Sequence, residues 1–129
     1  MHAIHLTLLF AGLCALLQCA LTVLVIMRRV QAGVRLNDGG DTLLLHRIRA
    51  HGNFTETVPI ALILLGLLEL RGQSPNWLWA LGSCLLLGRI LHGASLLTDG
   101  ALWSRLAGMV LTLSVLSVGG LMCIGMFLR

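Results

Sequence analysis

The chain has 129 residues, 57% of them hydrophobic and 11% charged, with a mean hydropathy of +0.94. One soluble core of this size cannot hide so much apolar surface, so a soluble globular domain is excluded and an integral membrane protein is expected. Nine arginines, no lysine and five acidic residues give a formal charge of +4, but the arginines are scattered and aromatic residues make up only 5%, which argues against a nucleic-acid surface.

A hydrocarbon core of about 30 Å needs about 20 helical residues. Residues 4–27 supply them without one charge, and such a long apolar run with no basic leader predicts a retained span rather than a cleaved signal. "NDGGD" (37–41) reads as a turn, with Asp41 or Thr42 capping the next helix. The second span, 42–70, is mixed: its fully apolar part, 58–68, is too short to cross, so the polar stretch before it must belong to the same helix. "RGQSPN" (71–76) turns into a third span, 76–97, which opens with Trp77 and Trp79 at interface depth. "TDGA" (98–101) leads to a fourth, 104–128, where Gly108, Ser114, Ser117, Gly119, Gly120 and Gly125 would let helices approach closely. The expected fold is an all-α, four-helix membrane bundle forming one domain over 1–129. Cys14, Cys19, Cys84 and Cys123 lie in apolar runs without metal-ligand spacing or a disulfide framework, so they read as small buried hydrophobes and no metal is expected.

Four spans put both termini on one side. Arg28, Arg29, Arg35, Arg47, Arg49 and Arg105 gather on the other, against only Arg71 and Arg129 with the termini. The positive-inside rule places the arginine-rich face in the cytoplasm and the termini on the non-cytoplasmic side.

On the second helix Arg49, Asn53 and Glu56 stand at i, i+4 and i+7, one polar stripe with His46 a turn earlier. His51 and Thr55 fall off the stripe. Pro59 ends it and removes the N–H that the Thr55 carbonyl would receive in a helix. On the third span Arg89 and His92 are i, i+3 neighbours near the same depth, and Arg105 opens the fourth. Ionisable groups within spans are costly unless they face the bundle or a wet cavity, so their convergence marks a functional site. Arginine grips carboxylates bidentately, glutamate holds an ammonium group, and asparagine both donates and accepts to amides. Those groups suit a small, anionic, peptide-like ligand from the cytoplasm, such as glutathione. The plainer reading makes Glu56 a structural partner of Arg89 or Arg49, Asn53 interhelical glue and His92 a packing residue. Arg28, Arg29 and Arg35 are explained by topology and headgroup contact, and Glu69, beside the second turn, by solvation at the interface.

"RAHGNFTETVP" (49–59) resembles the second-helix signature of the MAPEG superfamily, membrane-associated proteins in eicosanoid and glutathione metabolism. "DGGDTLLLHRIRAH" (38–51) is similar to its bacterial branch, and "GRILHGASL" (88–96) with Arg105 extends the likeness to essentially the whole chain. The resemblance implies a homotrimer in a bacterial inner membrane, with glutathione as co-substrate at subunit interfaces and a lipophilic electrophile or lipid arriving from the bilayer. By position, Arg49, Asn53 and Glu56 would hold glutathione, Arg89 and His92 would line the same pocket, and Arg28 or Arg35 would reach its carboxylate. Arg105 matches the arginine that stabilises the thiolate in catalytic members; a cation near sulfur lowers the thiol pKa and supplies the nucleophile. The chain departs from eukaryotic catalytic members at Gly52, where an arginine is common, and at Leu96, where a tyrosine is. Leu106 also stands where some relatives carry a serine. Two functions follow: a detoxifying glutathione transferase or peroxidase, and a non-catalytic glutathione- or lipid-binding scaffold. An ion conductor ranks last, because the other half of every span is bare of ionisable residues.

Overall fold

The computed structural model describes residues 4–98 and 101–128; the centre of the third expected turn, 99–100, and Arg129 lie outside them. Four helices follow in order: α1 (His5–Ala32), α2 (Thr42–Leu70), α3 (Pro75–Leu97) and α4 (Leu102–Phe127). Each is long and apolar enough to cross a membrane. α1 continues beyond residue 27 because nothing in Arg28, Arg29 or Val30 stops a helix. It ends at Gly33, whose φ of +67° suits the left-handed turn that bonds Gly33 and Val34 N–H back to Val30 and Arg29.

Asp41 caps α2: its carboxylate accepts from the Leu44 N–H at 2.7 Å and from Arg28 Nη2 at 2.6 Å, tying the end of α1 to the start of α2. The Arg28 guanidinium, then the Leu44 N–H, hold the Asp41 carboxyl below the usual carboxylate range. A depressed pKa stabilises the fold above the ordinary carboxylate pKa, and that contribution is lost as pH falls through the folded value. Acidification towards pH 3 is therefore expected to lower the unfolding midpoint in detergent less steeply in Asp41→Asn than in wild type. Equal slopes would show that this cap carries none of the acid sensitivity.

α2 and α3 touch each other and both outer helices, whereas α1 and α4 do not meet. The core forms around that inner pair, with Phe54 and Leu65 of α2 and Leu85 of α3 packed against Phe10 of α1 and Val115 of α4. Glycine permits the closest approaches. Gly82 makes room for the Phe10 ring, which meets Trp79 edge-on at 5.5 Å. Gly88 and Gly108 let α3 and α4 meet backbone to backbone: a Cβ at Gly108 would lie 2.6 Å from the Gly88 carbonyl oxygen.

Two sequence expectations need correction. Glu69 is buried at 8% exposure and not solvated: its two carboxylate oxygens accept from the Leu6 N–H at 2.8 Å and the Thr7 N–H at 2.7 Å. α1 begins after Ile4, which has no side-chain cap to offer, so Glu69 supplies the missing anion from the end of α2. Among the cysteines, all free, Cys14 is buried and Cys84 and Cys123 are half-buried, but Cys19 is exposed on the outward face of α1.

Candidate functional site

At the arginine-rich end the polar side chains form two sets that share Asn53. The outer set is the α2 stripe. Arg49, Gly52, Asn53 and Glu56 line an open groove of about 330 Å³, closed at its end by Asn37 and Asp38 of the α1–α2 turn. Asn37 takes φ +52° and Gly39 and Gly40 follow with positive φ, which folds the turn tightly beside α2. Gly52 matters for the opposite reason: a Cβ there would meet nothing within 4 Å, so the groove is open at that point. Arg49 and Glu56 are exposed, and neither makes an ion pair or hydrogen bond with any described residue. The structural pairing of Glu56 with Arg89 or Arg49 is not seen.

The inner set lies between α2, α3 and α4. Arg89 is 3% exposed, and its Nη1 donates to the Asn53 carbonyl at 3.2 Å and the Thr57 hydroxyl at 3.3 Å, while Nη2 donates to the Gly108 carbonyl at 3.4 Å. One guanidinium thus ties three helices. His92, equally buried, places Nδ1 3.4 Å from the Arg105 carbonyl oxygen, one turn before Gly108. That contact puts the proton on Nδ1 and leaves a lone pair on Nε2 in the neutral ring. Arg89 Nε, His92 Nε2 and Arg105 Nε are all buried without a hydrogen-bond partner. No carboxylate pairs with Arg89 or Arg105 among the described residues, so the cluster holds positive charge that none of those residues neutralises. Desolvated cations of this kind are costly unless an anion joins them. The two arginines suit a small anionic ligand on that ground.

The remaining sequence candidates fall outside these sets. Arg28 is committed to Asp41, whereas Arg35 is exposed, its carbonyl accepting from Arg29. His51 faces α1, with Nε2 2.8 Å from the Gln18 amide nitrogen and 3.1 Å from the Thr22 hydroxyl. Leu96 is core and Leu106 points outward, so no hydroxyl stands in for the missing tyrosine or serine at either place. Sequence reasoning missed Asn37, Asp38 and Thr57. The first two were visible as a polar turn running into the stripe; Thr57 had only its one-turn spacing from Asn53 to mark it.

Comparison with known proteins bears on the whole arrangement. The family model described as "MAPEG family" matches residues 7–125. The chain is 38% identical over 84 residues to "Inner membrane protein YecN" of Escherichia coli strain K12, and equally to the protein of that name from E. coli O6:H1. In both cases the alignment covers 65% of this chain and 64% of the relative, a little under two thirds of the relatives' length. No solved structure matches. The family match runs from the start of the first span almost to the end of the fourth and takes in the stripe, the buried guanidinium and the start of α4; this membrane protein belongs to the MAPEG family.

Proposed function

We propose that the protein binds glutathione between copies of a homotrimer and activates its thiol for attack on lipophilic electrophiles, peroxides included, as a membrane glutathione transferase or peroxidase. The observation that carries this reading is the buried cationic cluster: three partnerless nitrogens on Arg89, His92 and Arg105, beside an open groove that offers Arg49, Asn53 and Glu56. Arg49 suits a carboxylate, Glu56 the amine and Asn53 an amide, with Arg35 rather than the committed Arg28 as the candidate from the end of α1. Arg89, bound to backbone carbonyls on either side, serves to position Asn53 against the α4 turn.

Arg105 supplies positive charge for the thiolate, and the Nε2 lone pair of His92 can accept the thiol proton. Sulfur then forms the bond to the electrophilic carbon, and the displaced group leaves with the electron pair. Exposure of Arg49 and Glu56 at membrane depth favours cover by a second copy, since lipid tails would solvate neither. The arginine-rich end then faces the cytoplasm and the termini lie across the membrane, and the named relatives favour an inner membrane.

Calorimetry on the detergent-purified protein tests this. Glutathione binding is expected in wild type, to be lost in Glu56→Ala, and to persist in Arg105→Ala. Conjugation by Arg105→Ala at neutral pH should fall roughly a hundredfold, equivalent to a thiol pKa about two units higher. Absence of binding to folded wild type would sink the reading. The second reading is a non-catalytic glutathione or lipid binder, favoured by Leu96 and Leu106 at the positions lacking hydroxyls. Binding with no conjugation in wild type would select it.

A further inference from the structure

A second concavity, unrelated to the cationic cluster, lies between α1 and α2. It has a volume of about 350 Å³ and is walled mainly by Ala11, Cys14 and Ala15 of α1 and by Phe54, Val58 and Leu62 of α2. Small residues on α1 open it. Two polar groups interrupt its apolar lining, and each is one hydrogen-bond partner short. The first is the Gln18 amide, whose nitrogen meets His51 Nε2 at 2.8 Å while its oxygen is buried without a hydrogen bond. Were the amide turned over, the oxygen would take the histidine contact and the NH2 group would be the one left over. The second is the Thr55 carbonyl, which Pro59 cannot serve because it has no N–H. The Thr55 hydroxyl gives no help, since it donates back to the Gly52 carbonyl at 2.8 Å.

We infer that this α1–α2 groove is a binding site for a membrane-borne lipophile carrying a hydroxyl group, its chain along the alanine wall and its hydroxyl between Gln18 and Thr55. A plain acyl chain would fill the volume but leave the amide and the carbonyl unpaired at bilayer depth, where water is scarce. A hydroxyl serves both: it donates to one acceptor and accepts from the amide if that is turned over. A carboxylate has no proton to give the Thr55 carbonyl and would meet no cation, so an ionised fatty acid is disfavoured. The site does not depend on glutathione, although Thr55 adjoins Glu56 in the chain.

The test is photolabelling in nanodiscs of phosphatidylethanolamine and phosphatidylglycerol, without glutathione, using a long-chain alcohol with a mid-chain diazirine and the corresponding diazirine alkane. Peptides covering 11–18 and 54–62 should take up the alcohol severalfold more than the lipid-facing side of α4 around Leu113 and Leu121. Ala15→Trp, which fills the groove, should reduce that labelling to the α4 level. Gln18→Leu should lower alcohol labelling severalfold and leave alkane labelling unchanged. Groove labelling in wild type no greater than at Leu113 and Leu121, as when a second copy covers the groove, would overturn the inference. So would an equal fall for both probes in Gln18→Leu.

Discussion

Gly108→Ala is expected to destabilise the protein by about 2–3 kcal/mol, the usual cost of forcing extra atoms into a packed contact. The added Cβ would stand 2.6 Å from the Gly88 carbonyl oxygen and 2.8 Å from the His92 backbone nitrogen. Both are backbone atoms inside a helix, so relief requires α3 and α4 to separate. Separation would also stretch the Arg89 to Gly108 and His92 to Arg105 contacts, already 3.4 Å each. Gly120 and Gly125 are the controls: nothing lies within 4 Å of a Cβ at either, so alanine there should raise stability by up to about 1 kcal/mol through helix propensity. Thermal unfolding of the three variants in one detergent decides the matter. Indistinguishable midpoints would mean that the α3–α4 backbone contact is not part of the native packing.

Glu69→Ala is expected to cost about 2–3 kcal/mol. The carboxylate makes two charge-assisted bonds to the first turn of α1, and its loss strands two N–H groups that Ile4 cannot serve. A smaller effect opposes it: Glu69 sits in the last turn of its own helix, at the unfavourable end of that dipole, so removal recovers roughly 0.3–1 kcal/mol. Glu69→Gln keeps one acceptor oxygen and should fall between alanine and wild type. Hydrogen exchange at the Leu6 and Thr7 amides reports the contact directly and should accelerate in Glu69→Ala. Unchanged exchange at both amides would rule out the cross-helix cap.

The four helices and the α2 stripe were legible because both depend on spacing within one segment. Arg49, Asn53 and Glu56 share a face at 3.6 residues per turn whatever surrounds them. Contacts whose partner is backbone were not legible. Arg89 binds the carbonyls of Asn53 and Gly108, and a carbonyl carries no residue signature, so the sequence showed a cation without its acceptors. The choice between Arg28 and Arg35 depended on where α1 stops, which the left-handed Gly33 sets beyond the end of the apolar run. Glu69 did leave a trace: an acid at the negative end of its own helix suggests service to another element. Family membership followed from the second-helix motif and is shown by the match over most of the chain.

The two halves of the bundle are fastened by different chemistry. The α1–α2 hairpin is laced by polar bonds along its length: Arg28 with Asp41 at one end, Gln18 with His51 between, and Glu69 with the α1 N-terminus at the other. All of those partners precede residue 71, so a nascent chain can close this hairpin, and pair Arg28, Asp41 and Glu69, before α3 leaves the ribosome. α3 and α4 instead close on a glycine contact that needs both helices in place. Truncation after the second helix should therefore leave an insertable unit, where truncation after the third should leave Arg89 without its α4 acceptor.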